Sequence, residues 1–256
     1  MTEELAQQLG QLKLPSFAKH HLRIAEQCEK ESKNHIQFLS QLTHCEIESR
    51  YHKRIERLLR QAKLPREKNL ESFEYKRIPG LSSSQIKSLS EGRFIDLSEN
   101  VLIFGNPGTG KTHLAIALAQ EWCLQGRKIY YTTAASLTQN LLKTKHDLKL
   151  NAFIKKLDKF EVLIIDDISY IPYDRQETDV LFTLLSERYE MRSILITSNL
   201  PFANWDSIFK DKMTTTAAID RLVHHSIILE LNAESYRINS AKNRQNEKDK
   251  NGGKEM

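Results

Sequence analysis

The sequence predicts an α/β fold: a core built on a five-stranded parallel sheet, preceded by a small all-helical N-terminal domain. Three observations predict it. Short apolar runs alternate with helical patterns from residue 101 onward. A glycine-rich loop follows the first of those runs and opens a helix. Before residue 65, apolar residues recur at helical spacing and nothing resembles a strand.

The predicted strands are Val101–Phe104, Ile129–Thr133, Val162–Ile165, Ile194–Thr197 and Ile227–Leu229. Largely apolar runs of this kind are buried on both faces, as in a parallel sheet covered by helices. Residues 1–65 read as the helical N-terminal domain and 66–97 as a connector punctuated by Pro65, Pro79-Gly80 and Ser82-Ser83-Ser84, with Phe73 and Tyr75 as possible anchors. The α/β core spans 98–238. Residues 239–256 are polar and charged without apolar periodicity, which predicts a disordered tail.

Within the N-terminal domain, Leu5, Leu9 and Leu12 form a short amphipathic run stopped by Pro15. A longer helix is predicted from near Asn34 to Lys63, because Ile47, Tyr51, Ile55, Leu58 and Ala62 recur at spacings of three and four. Pro65 ends it. At about 100° per residue, Arg50, Lys53, Arg54, Arg57 and Arg60 fall on the opposite arc. From Arg50 to Lys68 eight Lys or Arg face only Glu56 and Glu67. That excess is either a solvated face or a surface for nucleic-acid phosphates.

Composition sets bounds. The 256 residues are 28% charged and 39% hydrophobic, as in ordinary globular chains. The net charge of +5 fits an acidic polymer as partner and equally fits simple solubility. The start, MTEELAQQLG, lacks the apolar core of a signal peptide, and no run approaches the roughly 20 apolar residues of a membrane span. A cytoplasmic protein with no membrane partner is expected. Cys28, Cys45 and Cys123 form no C-x-x-C pair, which speaks against disulfide or zinc roles. His20-His21 and His224-His225 are neighbours that would point to different sides of a helix, so they read as surface or capping histidines.

Three segments carry chemistry. Gly105-Asn106-Pro107-Gly108-Thr109-Gly110-Lys111-Thr112, followed by His113, fits the phosphate-binding pattern G-x-x-x-x-G-K-[ST] between a strand and a helix. Its glycines let backbone N–H groups turn toward phosphate oxygens, Lys111 supplies charge to the β and γ phosphates of ATP, and the Thr112 hydroxyl suits Mg²⁺. Val162-Leu163-Ile164-Ile165 delivers Asp166 to a strand end as the Mg²⁺-side acid, with Asp167 placed to orient or deprotonate the attacking water. Thr197-Ser198-Asn199 ends the next strand, where the Asn199 amide can reach the γ-phosphate or that water; Asp167 as a capping acid and Asn199 as a turn residue are the alternatives.

Walker A, hydrophobic Walker B and an Asn on the following strand resemble AAA+ ATPases over roughly residues 98–235. Asp166-Asp167-Ile168-Ser169-Tyr170-Ile171-Pro172, Leu184-Leu185-Ser186-Glu187-Arg188-Tyr189-Glu190 and Thr197-Ser198-Asn199-Leu200-Pro201-Phe202-Ala203-Asn204-Trp205 look like the IstB subgroup, transposition helpers related to the DnaC helicase loaders. The resemblance implies an ATPase that assembles as a homo-oligomer on double-stranded DNA and serves a cognate transposase. It places an arginine finger at Arg221, within Ala218-Ile219-Asp220-Arg221-Leu222, with Arg188 and Arg175 as rivals. A DnaC-type loader, or a nucleotide-gated DNA scaffold with negligible hydrolysis, are the alternatives.

Two departures qualify the resemblance. Asp166-Asp167 stands where many AAA+ proteins carry Asp-Glu, which shortens the base by one methylene and predicts slow hydrolysis, stimulated by DNA or partner. Too little chain follows the fifth strand for the usual helical lid, and Arg237 could stand in for the lid's sensor arginine. Lys143, Lys145, Lys149, Lys155 and Lys156 lie where AAA+ folds face a central pore and suit a DNA backbone, with Tyr170 and Tyr173 as possible DNA contacts or packing residues. Without a base-reading motif, the expected binding is phosphate-directed and largely sequence-independent.

Overall fold

The structure, a computed structural model, describes residues 2–169, 173–207, 212–233 and 235–236. The expectations for Tyr170, Arg237 and the 239–256 tail lie outside those residues. The chain divides into two units, Met1–Arg57 and Leu58–Met256.

In the first unit α1 (Thr2–Gln11) is followed by α2 (Pro15–Lys30), and α3 (His35–Ala62) begins there. Pro15 does more than stop α1: it opens α2, where its missing N–H would have had no helical partner anyway. The Ser16 N–H of that first turn donates to Glu46 Oε2 at 2.8 Å, and Arg50 Nε donates to Glu46 Oε1 at 2.7 Å. Arg50 also reaches the Lys13 carbonyl. One member of the predicted basic face is thus engaged within its own unit. Burial of Glu46 opposes its charged form, but the Arg50 and Ser16 hydrogen bonds outweigh it and hold the carboxyl below its ordinary pKa.

Ile24, Cys28 and Leu42 form the core of this unit, with Phe17, Phe38 and Cys45 packed against it. The predicted apolar stripe of α3 is only partly buried. Ile55, Leu58 and Ala62 are buried, whereas Ile47 and Tyr51 are 61% and 47% exposed. The exposed pair lies mid-helix, between Leu42, which packs in the core of the first unit, and the buried residues from Ile55 on.

The second unit holds the sheet. Ahead of it, residues 66–99 contain a 3₁₀ turn at Tyr75–Arg77, α4 (Ser83–Glu91) and α5 (Arg93–Asp96). Ser82 and Gln85 form a capping box that starts α4. Then follow β1 (Asn100–Gly105), α6 (Lys111–Leu124), β2 (Ile129–Thr133), α7 (Ala134–His146), α8 (Leu150–Leu157), β3 (Val162–Asp166), α9 (Arg175–Arg188), β4 (Ser193–Ser198), α10 (Lys212–His224) and β5 (Ser226–Leu231). All five strands predicted from the apolar runs form, and all pair in parallel in the order β2-β3-β4-β1-β5.

Helix α6 is buried almost all round, with Leu114, Ala115, Ala117, Leu118 and Ala119 fully enclosed. Trp122 Nε1 donates to the Leu89 carbonyl at 2.9 Å and its ring meets Phe94 edge-on, which fastens α4 and α5 to α6. The other sheet face is covered by α7, α8 and α9, through Leu137, Leu141, Leu157, Leu181 and Leu184. Because β4 lies between β1 and β3, the carboxyl ends of these three strands stand side by side. That edge is where open parallel sheets place ligands.

Candidate nucleotide site

The loop after β1 wraps back over the strand end. Gly105 has φ +154°, and a Cβ built there would lie 2.5 Å from the Leu231 carbonyl of β5. Gly108 has φ +84°, and its Cβ would lie 2.2 Å from Ser235 Oγ. Only glycine fits either place. Lys111, on the first turn of α6, is 9% exposed and sends Nζ back into the loop, donating to Gly105 O at 2.6 Å and Asn106 O at 2.9 Å. The ammonium therefore lies inside the turn, at the amino end of a 14-residue helix.

Asp166 ends β3 and is 6% exposed. Its carboxylate collects three hydroxyl donors: Thr112 at 3.0 Å, Thr197 at 2.7 Å and Tyr131 at 2.9 Å. These come from α6, β4 and β2, so the acid is held from three directions. Burial, and then the Asp166 charge, raise the pKa of the Tyr131 phenol, which keeps it a proton donor. Thr112 and Asp166 offer two hard oxygen ligands at one point, a set that suits Mg²⁺ completed by phosphate and water oxygens.

Asp167 takes φ +60°, in the left-handed region, and its N–H donates to Thr197 Oγ1 at 2.8 Å. This turn breaks the strand direction, so the two adjacent acids occupy different places. Asn199 follows β4, and its N–H donates to Ser169 Oγ at 2.9 Å while its Oδ1 accepts from the same hydroxyl. With Oδ1 engaged, the amide nitrogen is the end of Asn199 available to donate.

Pro107, Gly108, Thr109, Gly110, Lys111, Thr112, His113, Asp167, Thr197 and Asn199 line one cleft of about 710 Å³. Its other wall comes from Phe73, Arg77, Ile78 and Tyr236. His113 is tied to that wall: Nε2 lies 3.0 Å from Asn69 O and 3.2 Å from Ser72 Oγ, and the ring meets Phe73 edge-on. Tyr236 N–H donates to Gly108 O at 3.0 Å, and the Arg77 guanidinium lies 5.3 Å from the Tyr236 ring centre. The predicted loop, acid and asparagine residues are thus brought together by three neighbouring strand ends. Sequence reasoning missed the roles of Thr197 and Tyr131 at the acids, of Ser169 at Asn199, and of the 67–78 wall; the only signals were Thr197 near Asn199 and the aromatic Phe73.

The three arginines fare differently. Arg188 is fully buried, donating to the carbonyls of Leu157 at 3.0 Å, Phe160 at 3.2 Å and Ser193 at 3.1 Å. Desolvation lowers its pKa to about 10. A side chain enclosed and occupied in this way cannot reach a neighbouring subunit, which removes it as a finger candidate. Arg175 is exposed at the start of α9. Arg221, on α10, packs against α9 instead of entering the cleft, with Nη1 2.6 Å from Ser186 Oγ and its guanidinium 4.9 Å from the Phe182 ring centre.

Away from the cleft, Lys155 and Lys156 are exposed in the last turn of α8, and Lys143, Lys145 and Lys149 are exposed at the end of α7 and in the turn joining α7 to α8. Leu148 at its tip is 94% exposed with φ +57°. Tyr173, considered as a DNA contact, is buried in the core cluster of α7 and α9 and serves packing. Among the described residues no helix is long and apolar enough to cross a membrane.

A parallel sheet in this order, with the glycine loop, Lys111, Thr112 and Asp166 at one edge, defines a P-loop NTPase with an AAA+ core. Solved structures agree on the fold: the DnaC helicase loader superposes with a TM-score of 0.55 at 18% identity, covering 65% of this chain and 97% of that one. DnaA from Aquifex aeolicus gives 0.55 at 22% identity, covering 66% of this chain and 50% of that one, so the likeness spans about half of DnaA. The chain belongs to the family of IstB-like ATP binding proteins, which it matches over residues 7–244. It is 43% identical over 234 residues to an insertion sequence ATP-binding protein of Sinorhizobium fredii, covering 91% of this chain and 78% of that protein. It is 38% identical to the insertion sequence IS21 ATP-binding protein of Pseudomonas aeruginosa, covering 92% and 89%.

Proposed function

We propose that this protein is an ATPase that binds Mg²⁺ and ATP in the cleft, assembles on double-stranded DNA as a homo-oligomer, and assists the transposase of an insertion sequence. The observation that carries the nucleotide reading is the meeting of Thr112 and Asp166 at 3.0 Å beside a loop whose lysine is folded inside it. Lys111 and the loop N–H groups bind the phosphates. Thr112 and Asp166 hold Mg²⁺, which screens phosphate charge when bound. Asp167 takes or orients the proton of the attacking water, and the Asn199 amide fixes its position.

The aspartate at 167 reaches less far than a glutamate, so hydrolysis is slow until DNA or a partner repositions the site. Arg221 acts on the nucleotide of a neighbouring subunit. The exposed lysines around Leu148 and the remaining basic residues of α3 supply phosphate contacts, making DNA affinity fall steeply with salt. The insertion-sequence names of relatives sharing most of this chain support the transposase partner.

The deciding experiment measures ATP affinity and ATP-dependent DNA assembly for Lys111→Ala beside the unaltered protein. Loss of both is expected; unchanged ATP affinity would remove the site assignment. Capture of proteins on the immobilised full chain then separates partners: transposase is expected, and a replicative helicase would favour a loader role.

A further inference from the structure

At the opposite end of the sheet from the cleft, Glu190, His224 and His225 converge. His225 immediately precedes β5 and its carbonyl accepts from Asn100 N at the start of β1, at 2.7 Å. Glu190 lies in the turn between α9 and β4. Adjacency on a helix would have splayed the two histidines, but α10 ends at His224 and His225 is already in the turn. The helical step does not apply to the pair. Their ring centres lie 4.1 Å apart at 62°.

Glu190 adopts φ +56°, and its Oε1 comes to 3.8 Å from His225 Nε2. One ligand atom from each of the three residues lies within 4.8 Å of the other two. Tyr189 adds an outer contact, its hydroxyl 2.9 Å from His224 Nδ1. If Nδ1 carries the proton and donates to the phenolic oxygen, Nε2 is left as the lone pair that ligates, the usual arrangement of a metal-bound histidine.

We propose that Glu190, His224 and His225 bind a divalent transition-metal ion of the zinc class, with Tyr189 orienting His224. Two imidazoles and one carboxylate are the mixed nitrogen and oxygen donors that such ions prefer over Mg²⁺. Tetrahedral ligands at bond lengths of about 2.0–2.2 Å stand roughly 3.4 Å apart, so the present spacing closes by small rotations of exposed side chains. The fourth position, open to solvent, takes water. Bound metal would tie the end of α10 to the turn after α9, one helical turn beyond Arg221, so the site bears on how firmly that arginine's helix is held.

The test uses the tag-free full-length protein, stripped with chelator and titrated with Zn²⁺ by calorimetry and with Co²⁺ by visible absorption. One equivalent is expected, with the intense bands of a tetrahedral Co²⁺ site and a rise in melting temperature on adding Zn²⁺. His225→Ala and Glu190→Gln should each weaken binding by more than the roughly 10-fold to 100-fold typical of outer contacts, and Tyr189→Phe by about 10-fold. The double variant His20→Ala, His21→Ala should titrate as the unaltered protein does. Apo melting temperatures of the variants establish that they are folded; Glu190→Gln carries the test if a histidine variant is not. No saturable binding, or a one-equivalent site that survives loss of both His224 and His225, overturns the proposal. So does a site abolished by the His20, His21 variant, which would leave Glu190, His224 and His225 as a surface contact only.

Discussion

The Thr197 hydroxyl donates to Asp166 at 2.7 Å, onto the same carboxylate oxygen that Thr112 reaches at 3.0 Å. The same Thr197 oxygen accepts the Asp167 N–H at 2.8 Å. One hydroxyl on β4 therefore fixes the Asp166 carboxylate and the backbone of Asp167 together, the two acids that the proposed function assigns to metal and water. Thr197→Val keeps the shape and removes both bonds. ATP affinity should change little, while the turnover rate falls on the order of 10-fold to 100-fold, the usual cost of a small misplacement of reacting groups. Steady-state hydrolysis beside equilibrium nucleotide binding checks this; an unchanged rate would show that Thr197 is only a packing residue.

Arg188 is a structural cation. It bridges the end of α8, the turn before β3 and the start of β4 through three carbonyls, with Asp158 3.5 Å away. Arg188→Met removes a donor from each of those carbonyls, of which Leu157 O keeps the Phe160 N–H, so a loss of about 1–3 kcal/mol is expected. Chemical unfolding would register it as a lower midpoint. Arg188→Lys should recover only part, because one ammonium cannot span the positions of a guanidinium fork.

Glu46 is the carboxylate that receives the start of α2 and Arg50. Its folded pKa lies below the ordinary glutamate value of 4.5, so it contributes stability that is fully present above about pH 4.5 and is lost as the pH falls through the folded value. Glu46→Gln should lower the stability of the N-terminal unit by about 1–3 kcal/mol at neutral pH. The difference from the unaltered protein should shrink as the pH is taken below 4.5. Helical content followed across pH for both proteins tests the sign, and a gap that widens in acid would contradict it.

The strands and the phosphate loop were legible because each rests on local pattern: Val162 to Ile165 is apolar without interruption, and the loop is a contiguous motif. Asp166, Asp167 and Asn199 were legible for the same reason, each being read at the end of such a strand. What holds them was not. Tyr131 and Thr197 lie 35 and 31 residues from Asp166 and meet it only because β2, β3 and β4 are neighbours, an order that composition does not encode. The 67–78 wall failed differently, since a stretch with one 3₁₀ turn has no period to detect. Ile47 and Tyr51 show the reverse error: a clean helical stripe says which side is apolar but not which stretch of it other elements cover. Arg188 looked like a catalytic candidate only because sequence cannot report burial.

Arg221 is the one finger candidate whose side chain packs on a neighbouring helix at the surface of the core. Held against Ser186 and Phe182 of α9, its side chain lies away from its own cleft, so any action on nucleotide must cross to another subunit. Arg221→Ala loses one hydrogen bond and a cation–π contact worth about 0.5–1 kcal/mol, so melting temperature and ATP affinity should change little while hydrolysis falls. Asp167→Asn should likewise bind ATP without turning it over. In a mixture of the two, an Arg221→Ala subunit retains its own acids and can receive Arg221 from an Asp167→Asn neighbour. Hydrolysis should therefore reappear at roughly a quarter of the normal level in an equimolar cyclic or helical assembly with random order. The variants separately provide the baseline, and a mixture no more active than their sum would place Arg221 outside the reaction.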